Sequence, residues 1–77
     1  MDFRLPELSP GLEFATVAGW RKGEGAQIEA GDPIVDVEAD KVTYELEAPA
    51  AGILAEIIAA EGDEIQVGAL LARLEPL

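Results

Sequence analysis

Val35-Asp36-Val37-Glu38-Ala39-Asp40-Lys41-Val42-Thr43-Tyr44-Glu45-Leu46-Glu47-Ala48 alternates apolar and polar residues on both sides of one interruption, Asp40-Lys41. Period-two alternation around so short a connection predicts a β-hairpin with Asp40-Lys41 at its tip. If Ala39 pairs with Val42, then Val37 faces Tyr44 and Val35 faces Leu46 on one side. On the other side Asp36 faces Glu45 and Glu38 faces Thr43. Two-residue hairpin loops favour primed turns, which ask for positive φ and usually place Gly second. A lysine there costs about 1–2 kcal/mol. Like charges at Asp36 and Glu45 also weaken the ladder. A lysine beside an aspartate on a hairpin tip is, taken alone, ordinary turn chemistry. Two bent rules within a few residues of it mark Lys41 as the candidate functional residue.

The chain around this hairpin has 77 residues, enough for one small domain over 1–77, and its 49% hydrophobic content supports a core without staples. It has no cysteine and no histidine, which removes disulfides, thiolate zinc sites, imidazole ligands and the Ser-His-Asp triad. Five basic residues against 16 acidic ones give a net charge of −11, which repels nucleic acid and would orient docking onto basic partners. No apolar run approaches membrane-spanning length, and Asp2 and Pro6 do not fit a signal peptide, so no membrane association is expected.

Turn signals at Pro10-Gly11, Lys22 to Gly25, Gly31-Asp32-Pro33, Pro49 to Gly52, Glu61-Gly62-Asp63 and Val67-Gly68 divide the chain into short pieces. Phe3 to Leu5 reads as a short strand and Leu12 to Arg21 as a longer one. In the latter, Leu12, Phe14, Ala18 and Trp20 share the apolar side. Ile53 to Ala60 is read as a strand, as is Leu70 to Leu74. The pieces repeat: Gly25 and Gly62 are 37 apart (62 − 25), as are Gly31 and Gly68 (68 − 31), and the same shift carries Ile28 to Ile65, Val37 to Leu74 and Trp20 to Ile57. Two repeats are too few for a solenoid. Two interlocked halves about a pseudo-twofold axis, in an all-β sandwich or flattened barrel, fit better. Lys41 then stands on the link between the halves.

The chain resembles the lipoyl domains of 2-oxo acid dehydrogenase complexes, within the biotinyl/lipoyl attachment family. The resemblance runs from Leu5 to Leu74. It rests on Leu5-Pro6-Glu7-Leu8-Ser9-Pro10, on Trp20 before a Lys/Gly/Glu loop, on Glu29-Ala30-Gly31-Asp32, and above all on Val37-Glu38-Ala39-Asp40-Lys41-Val42; Glu47-Ala48-Pro49, Gly52 and Glu61-Gly62 continue it. It implies a flattened β-barrel of two four-stranded antiparallel sheets with Lys41 on an exposed hairpin, carrying lipoate in amide linkage. The lipoate-attaching enzyme is then expected to read Glu38, Asp40, Val42 and Gly52. The loop Leu8, Ser9, Pro10, Gly11, Leu12 and Glu13 is expected to help a thiamin-diphosphate 2-oxo acid decarboxylase choose its own complex. Gly11-Leu12, where Thr-Met is common, leaves the parent complex open.

The function so implied is a non-catalytic, swinging-arm carrier of acyl groups and reducing equivalents. It would serve the decarboxylase, the acyltransferase core and the flavoprotein dihydrolipoamide dehydrogenase in the bacterial cytoplasm or mitochondrial matrix, and the domain taken alone is expected to be a monomer. Such a carrier needs presentation more than reactivity of its own. The ending at Glu75-Pro76-Leu77 is expected to be that of a segment of a larger acyltransferase component. A biotin carrier is the alternative within the family, but its lysine is normally flanked by Met, and here Asp40 and Val42 flank it. An unmodified binding barrel is the alternative from another class. Trp20 and Tyr44 are expected in the core, and Lys22, the only other lysine, in solvent.

Overall fold

The computed structural model describes residues 1–77 and contains eight strands. They are β1 (Asp2–Arg4), β2 (Phe14–Trp20), β3 (Gln27–Ile28), β4 (Pro33–Ala39), β5 (Val42–Glu47), β6 (Gly52–Ile57), β7 (Glu64–Gln66) and β8 (Leu70–Glu75). Two four-stranded antiparallel sheets result, ordered β1-β8-β6-β3 and β5-β4-β2-β7. The alanine-rich stretch from Ile53 is indeed a strand, ending at Ile57, because Leu54 and its neighbours pair with β8.

The repeat is visible in the pairing itself. Thr16–Glu38, Val17–Val37, Gly19–Asp36 and Trp20–Val35 join β2 to β4. Shifted by 37, these become Ile53–Glu75, Leu54–Leu74, Glu56–Arg73 and Ile57–Ala72, the pairs that join β6 to β8. The bulge is shared: the register slips between Val17 and Gly19 in one half and between Leu54 and Glu56 in the other. Strand β5 corresponds to β1, since Asp36–Glu45 maps onto Arg73–Asp2 and Val35–Leu46 onto Ala72–Phe3. Each sheet is thus the other's copy, and the hairpin that is continuous at Asp40-Lys41 has its counterpart where the chain ends meet.

The core lies between the sheets and consists of aliphatic side chains with Phe3, among them Val17, Ile28, Ile34, Val35, Val37, Leu54, Leu71 and Leu74. Burying them is the main stabilising term. One expectation is corrected here: in β2 the buried residues are Ala15 and Val17, while Phe14, Thr16 and Ala18 face outward. The bulge explains the reversal. An extra residue in a strand flips the parity of its side chains, so a pattern counted back from Trp20 lands on the wrong face. Trp20 and Tyr44 do pack against the core, each partly buried, and the Trp20 indole N–H donates to the Ala59 carbonyl at 2.8 Å. Lys22 is half-buried rather than fully in solvent.

Glycine turns close both halves alike. The Ala26 N–H donates to the Gly23 carbonyl at 3.1 Å and the Asp63 N–H to the Ala60 carbonyl at 3.0 Å. Gly25 and Gly62, third in each turn, have φ of 88° and 91°, which a side chain would resist.

Candidate carrier-lysine site

Strands β4 and β5 form the predicted hairpin in the predicted register: Ala39 opposite Val42, Val37 opposite Tyr44, Val35 opposite Leu46, Glu38 opposite Thr43 and Asp36 opposite Glu45. The tip is a primed turn. Asp40 and Lys41 have φ of 55° and 64°, and they are the only non-glycine residues with positive φ. An aspartate tolerates this region because its short polar side chain can bond locally; a lysine has no such help. The strain therefore falls on the residue that protrudes. Lys41 is exposed, and its ammonium takes part in none of the ion pairs of the molecule.

The other residues expected at the tip separate into two environments. Glu38, Asp40 and Val42 lie within three residues of Lys41 on the hairpin and are exposed. Val42 is 48% exposed although it pairs with buried Ala39, because the sandwich ends there. Gly52 lies in the other sheet, in β6. An added Cβ on Gly52 would stand 2.3 Å from the Glu75 carbonyl oxygen. That contact is impossible without moving backbone, so packing alone accounts for a glycine at this position.

Loop residues Leu8 to Glu13 lie between β1 and β2. A turn is closed by the Leu12 N–H donating to the Ser9 carbonyl at 3.1 Å, and the Val67 N–H donates to the Glu13 carbonyl at 2.9 Å. Glu7, Gly11, Leu12 and Glu13, with Gln66 and Val67, line a shallow depression of about 290 Å³. Continuing the β2–β4 register two residues past Thr16–Glu38 brings Phe14 level with Asp40. The loop thus runs into β2 at the end of the sheet that carries the tip, and Phe14, 50% exposed, is the first strand residue after it.

The facing carboxylates of Asp36 and Glu45 are not left to repel each other. Arg21, just past β2, donates from Nε to Asp36 Oδ1 at 3.0 Å and Oδ2 at 3.2 Å, while its terminal nitrogen lies 3.1 Å from Glu45 Oε2. The hydrogen bond to Asp36, then the charges of Asp36 and Glu45, raise the guanidinium pKa above its already high ordinary value. The apparent conflict at Asp36 and Glu45 is therefore resolved by a residue 15 positions before Asp36. Neither alternation nor spacing connects that residue to the hairpin.

The family model described as biotin-requiring enzyme, of biotin/lipoyl type, matches residues 1–74. The chain is 45% identical over 74 residues to the dihydrolipoyllysine-residue succinyltransferase component of the 2-oxoglutarate dehydrogenase complex of Bartonella vinsonii subsp. berkhoffii, covering 96% of this chain and 18% of that protein. It is 38% identical over 73 residues to the dihydrolipoyllysine-residue acetyltransferase component of the pyruvate dehydrogenase complex of Corynebacterium glutamicum, covering 95% of this chain and 11% of that protein. The chain therefore spans less than a fifth of either relative. The solution structure of the lipoyl domain of the 2-oxoglutarate dehydrogenase complex of Azotobacter vinelandii superimposes with a TM-score of 0.80 at 39% identity, over 97% of this chain and 95% of that one. A single-chain, multi-domain long-chain acyl-CoA carboxylase contains a similar unit, with a TM-score of 0.77 at 30% identity over 92% of this chain and 8% of its own. A match over nearly the full length of both chains, at higher identity, favours the first likeness over the second. The chain belongs to the biotin/lipoyl attachment family and is one of its lipoyl carrier domains.

Proposed function

We propose that Lys41 is the residue that carries lipoate, joined through an amide to its Nζ. The observation that carries this reading is the placement of Lys41, exposed and at φ 64°, at the tip of a hairpin whose flanks read Glu38-Ala39-Asp40 and Val42. Bound there, the lipoyl group supplies a dithiolane that takes up an acyl group and two electrons. The chain's own part is to hold the arm away from its surface. Asp40 and Lys41 adopt the primed turn, β4 and β5 make it the end of a rigid ribbon, and the barrel behind them anchors the ribbon. Exposed Glu38, Asp40 and Val42 give the attaching enzyme a surface to read, together with the strand path that Gly52 permits.

The arm would serve, in turn, a thiamin-diphosphate 2-oxo acid decarboxylase, the acyltransferase core and dihydrolipoamide dehydrogenase, in the bacterial cytoplasm or the mitochondrial matrix. Tethering makes each visit intramolecular, so effective concentration rather than affinity sets the rate. Leu8 to Glu13, at the end of the sheet that carries the tip, with its depression and Phe14, is the surface proposed to select the decarboxylase. The strongest rival is biotin on Lys41, which the carboxylase likeness keeps in view.

Intact mass and peptide mapping after incubation with a lipoate-attaching enzyme decide the reading. Lipoate on Lys41 alone is expected; lipoate on Lys22, or biotin incorporated by a biotin-attaching enzyme instead, would overturn it. Moving the lysine by one residue, as Asp40→Lys with Lys41→Ala, re-aims the side chain and should abolish modification of a folded domain.

A further inference from the structure

We infer that Arg21 is a positioning residue for the Lys41 hairpin, locking edge strand β5 to the sheet by bonding Asp36 and Glu45 at once. The proposal rests on the reading of Lys41 as the attachment lysine. Strand β5 lies at the end of the order β5-β4-β2-β7 and pairs only with β4. Arg21 leaves the far side of β4, from the end of β2, and reaches across the outer face to both β4 and β5.

Its base is fixed. The Arg21 N–H donates to the Ile34 carbonyl at 2.8 Å, and the neighbouring Trp20 indole is tied to Ala59 at 2.8 Å. Removing the guanidinium would leave two carboxylates opposite each other at a cross-strand position, where like charges are destabilising.

The pseudo-twofold supplies an internal control. The counterpart of Arg21 is Ile58, as the shared backbone bonds Arg21 to Ile34 and Ile58 to Leu71 establish. There the pair corresponding to Asp36–Glu45 is Arg73–Asp2, of opposite charge, so no repulsion has to be answered; the Asp2 carboxylate is bonded by Arg4 of its own strand at 3.2 Å. The bridging arginine thus appears only in the half whose hairpin carries the lysine. Lys41 lies five positions beyond Asp36, up to about 16 Å along the chain. Arg21 therefore acts on Lys41 through the ribbon and not by contact. A ribbon that spends more time splayed from the sheet presents the lysine competently for a smaller fraction of the time, and the apparent affinity of the attaching enzyme falls by that fraction.

The test measures initial rates of lipoylation against domain concentration for the parent, R21Q and R21Q with Glu45→Gln, alongside amide hydrogen exchange. R21Q is expected to quicken exchange of the β5 amides roughly two- to fivefold while β6 and β8 keep their protection. KM for the domain should rise by no more than that factor, with kcat unchanged. Removing the Glu45 charge in the double variant should restore both quantities. An R21Q domain that matches the parent in KM and exchange would overturn the role of Arg21 alone. So would a KM defect that survives in the double variant, because it would mean that Arg21 touches the enzyme directly. A parent left unmodified at Lys41 would overturn the attachment reading itself, and this proposal with it.

Discussion

The two halves of the molecule share strand order, pairing, bulge and glycine turns, and four of their differences bear on the shape of the molecule. The β1–β2 connection is longer than its counterpart between β5 and β6: Leu5 and Ala48 make equivalent backbone bonds, to Gly68 and Ala69 and to Gly31 and Asp32, but Val17 follows Leu5 by 12 positions and Leu54 follows Ala48 by 6. Arg21 stands where the second half has Ile58, and Ala15 where it has Gly52. Finally, the strained Asp40-Lys41 turn stands where the second half has the chain ends. Three of the four, the long loop, Arg21 and the turn, gather on the sheet that bears Lys41. The shared parts make the barrel, and the departures from symmetry make the proposed site.

Gly52 and Ala15 should give the sharpest contrast. An added methyl on Gly52 meets the Glu75 carbonyl, so Gly52→Ala is expected to cost about 2–3 kcal/mol in urea denaturation. The reverse exchange, Ala15→Gly, should cost only about 1 kcal/mol, from a buried methyl and backbone freedom. If Gly52→Ala unfolds with the parent's midpoint yet resists lipoylation, the glycine is read by the enzyme and the packing account fails.

The turns allow a milder comparison. Asp63 accepts the Ala60 N–H at 2.9 Å, and its counterpart Ala26 cannot accept from Gly23. Asp63→Ala should lose about 1 kcal/mol, and Ala26→Asp should gain up to about 0.5 kcal/mol against the chain's negative charge. Equal and negligible effects in thermal melts would show that these side-chain bonds add nothing to the glycine turns.

At the tip the effects should be smaller still and of opposite sign. Lys41→Gly relieves the positive φ and should stabilise by about 0.5 kcal/mol, while abolishing modification. Lys41→Ala should leave stability within about 0.5 kcal/mol of the parent, since the side chain is exposed and forms no ion pair. A loss of cooperative unfolding in Lys41→Ala would make the lysine a structural residue and erase the contrast between tip and barrel.

Much of this was legible because it is local or periodic. The β4–β5 register follows from matching two alternating runs, and the 37-residue shift is written in glycines that turns require. The face of β2 was misread because a bulge has no composition of its own: Ala18 looks like any strand residue, and only pairing reveals the slip between Val17 and Gly19. The half-buried state of Lys22 was equally hidden, since a loop rich in glycine and glutamate gives no sign of what packs on it.

The hairpin, its register, the lysine at its tip and the doubling of the chain can all be read from the order of residues, because alternation and turn chemistry act between near neighbours. It took the folded barrel to show that Arg21 answers the Asp36–Glu45 repulsion, that Gly52 makes room for the Glu75 carbonyl, and that Phe14 faces outward. These depend on which strands lie side by side and how a bulge turns them. Such contacts are set by closing the barrel, and no run of neighbouring residues encodes them.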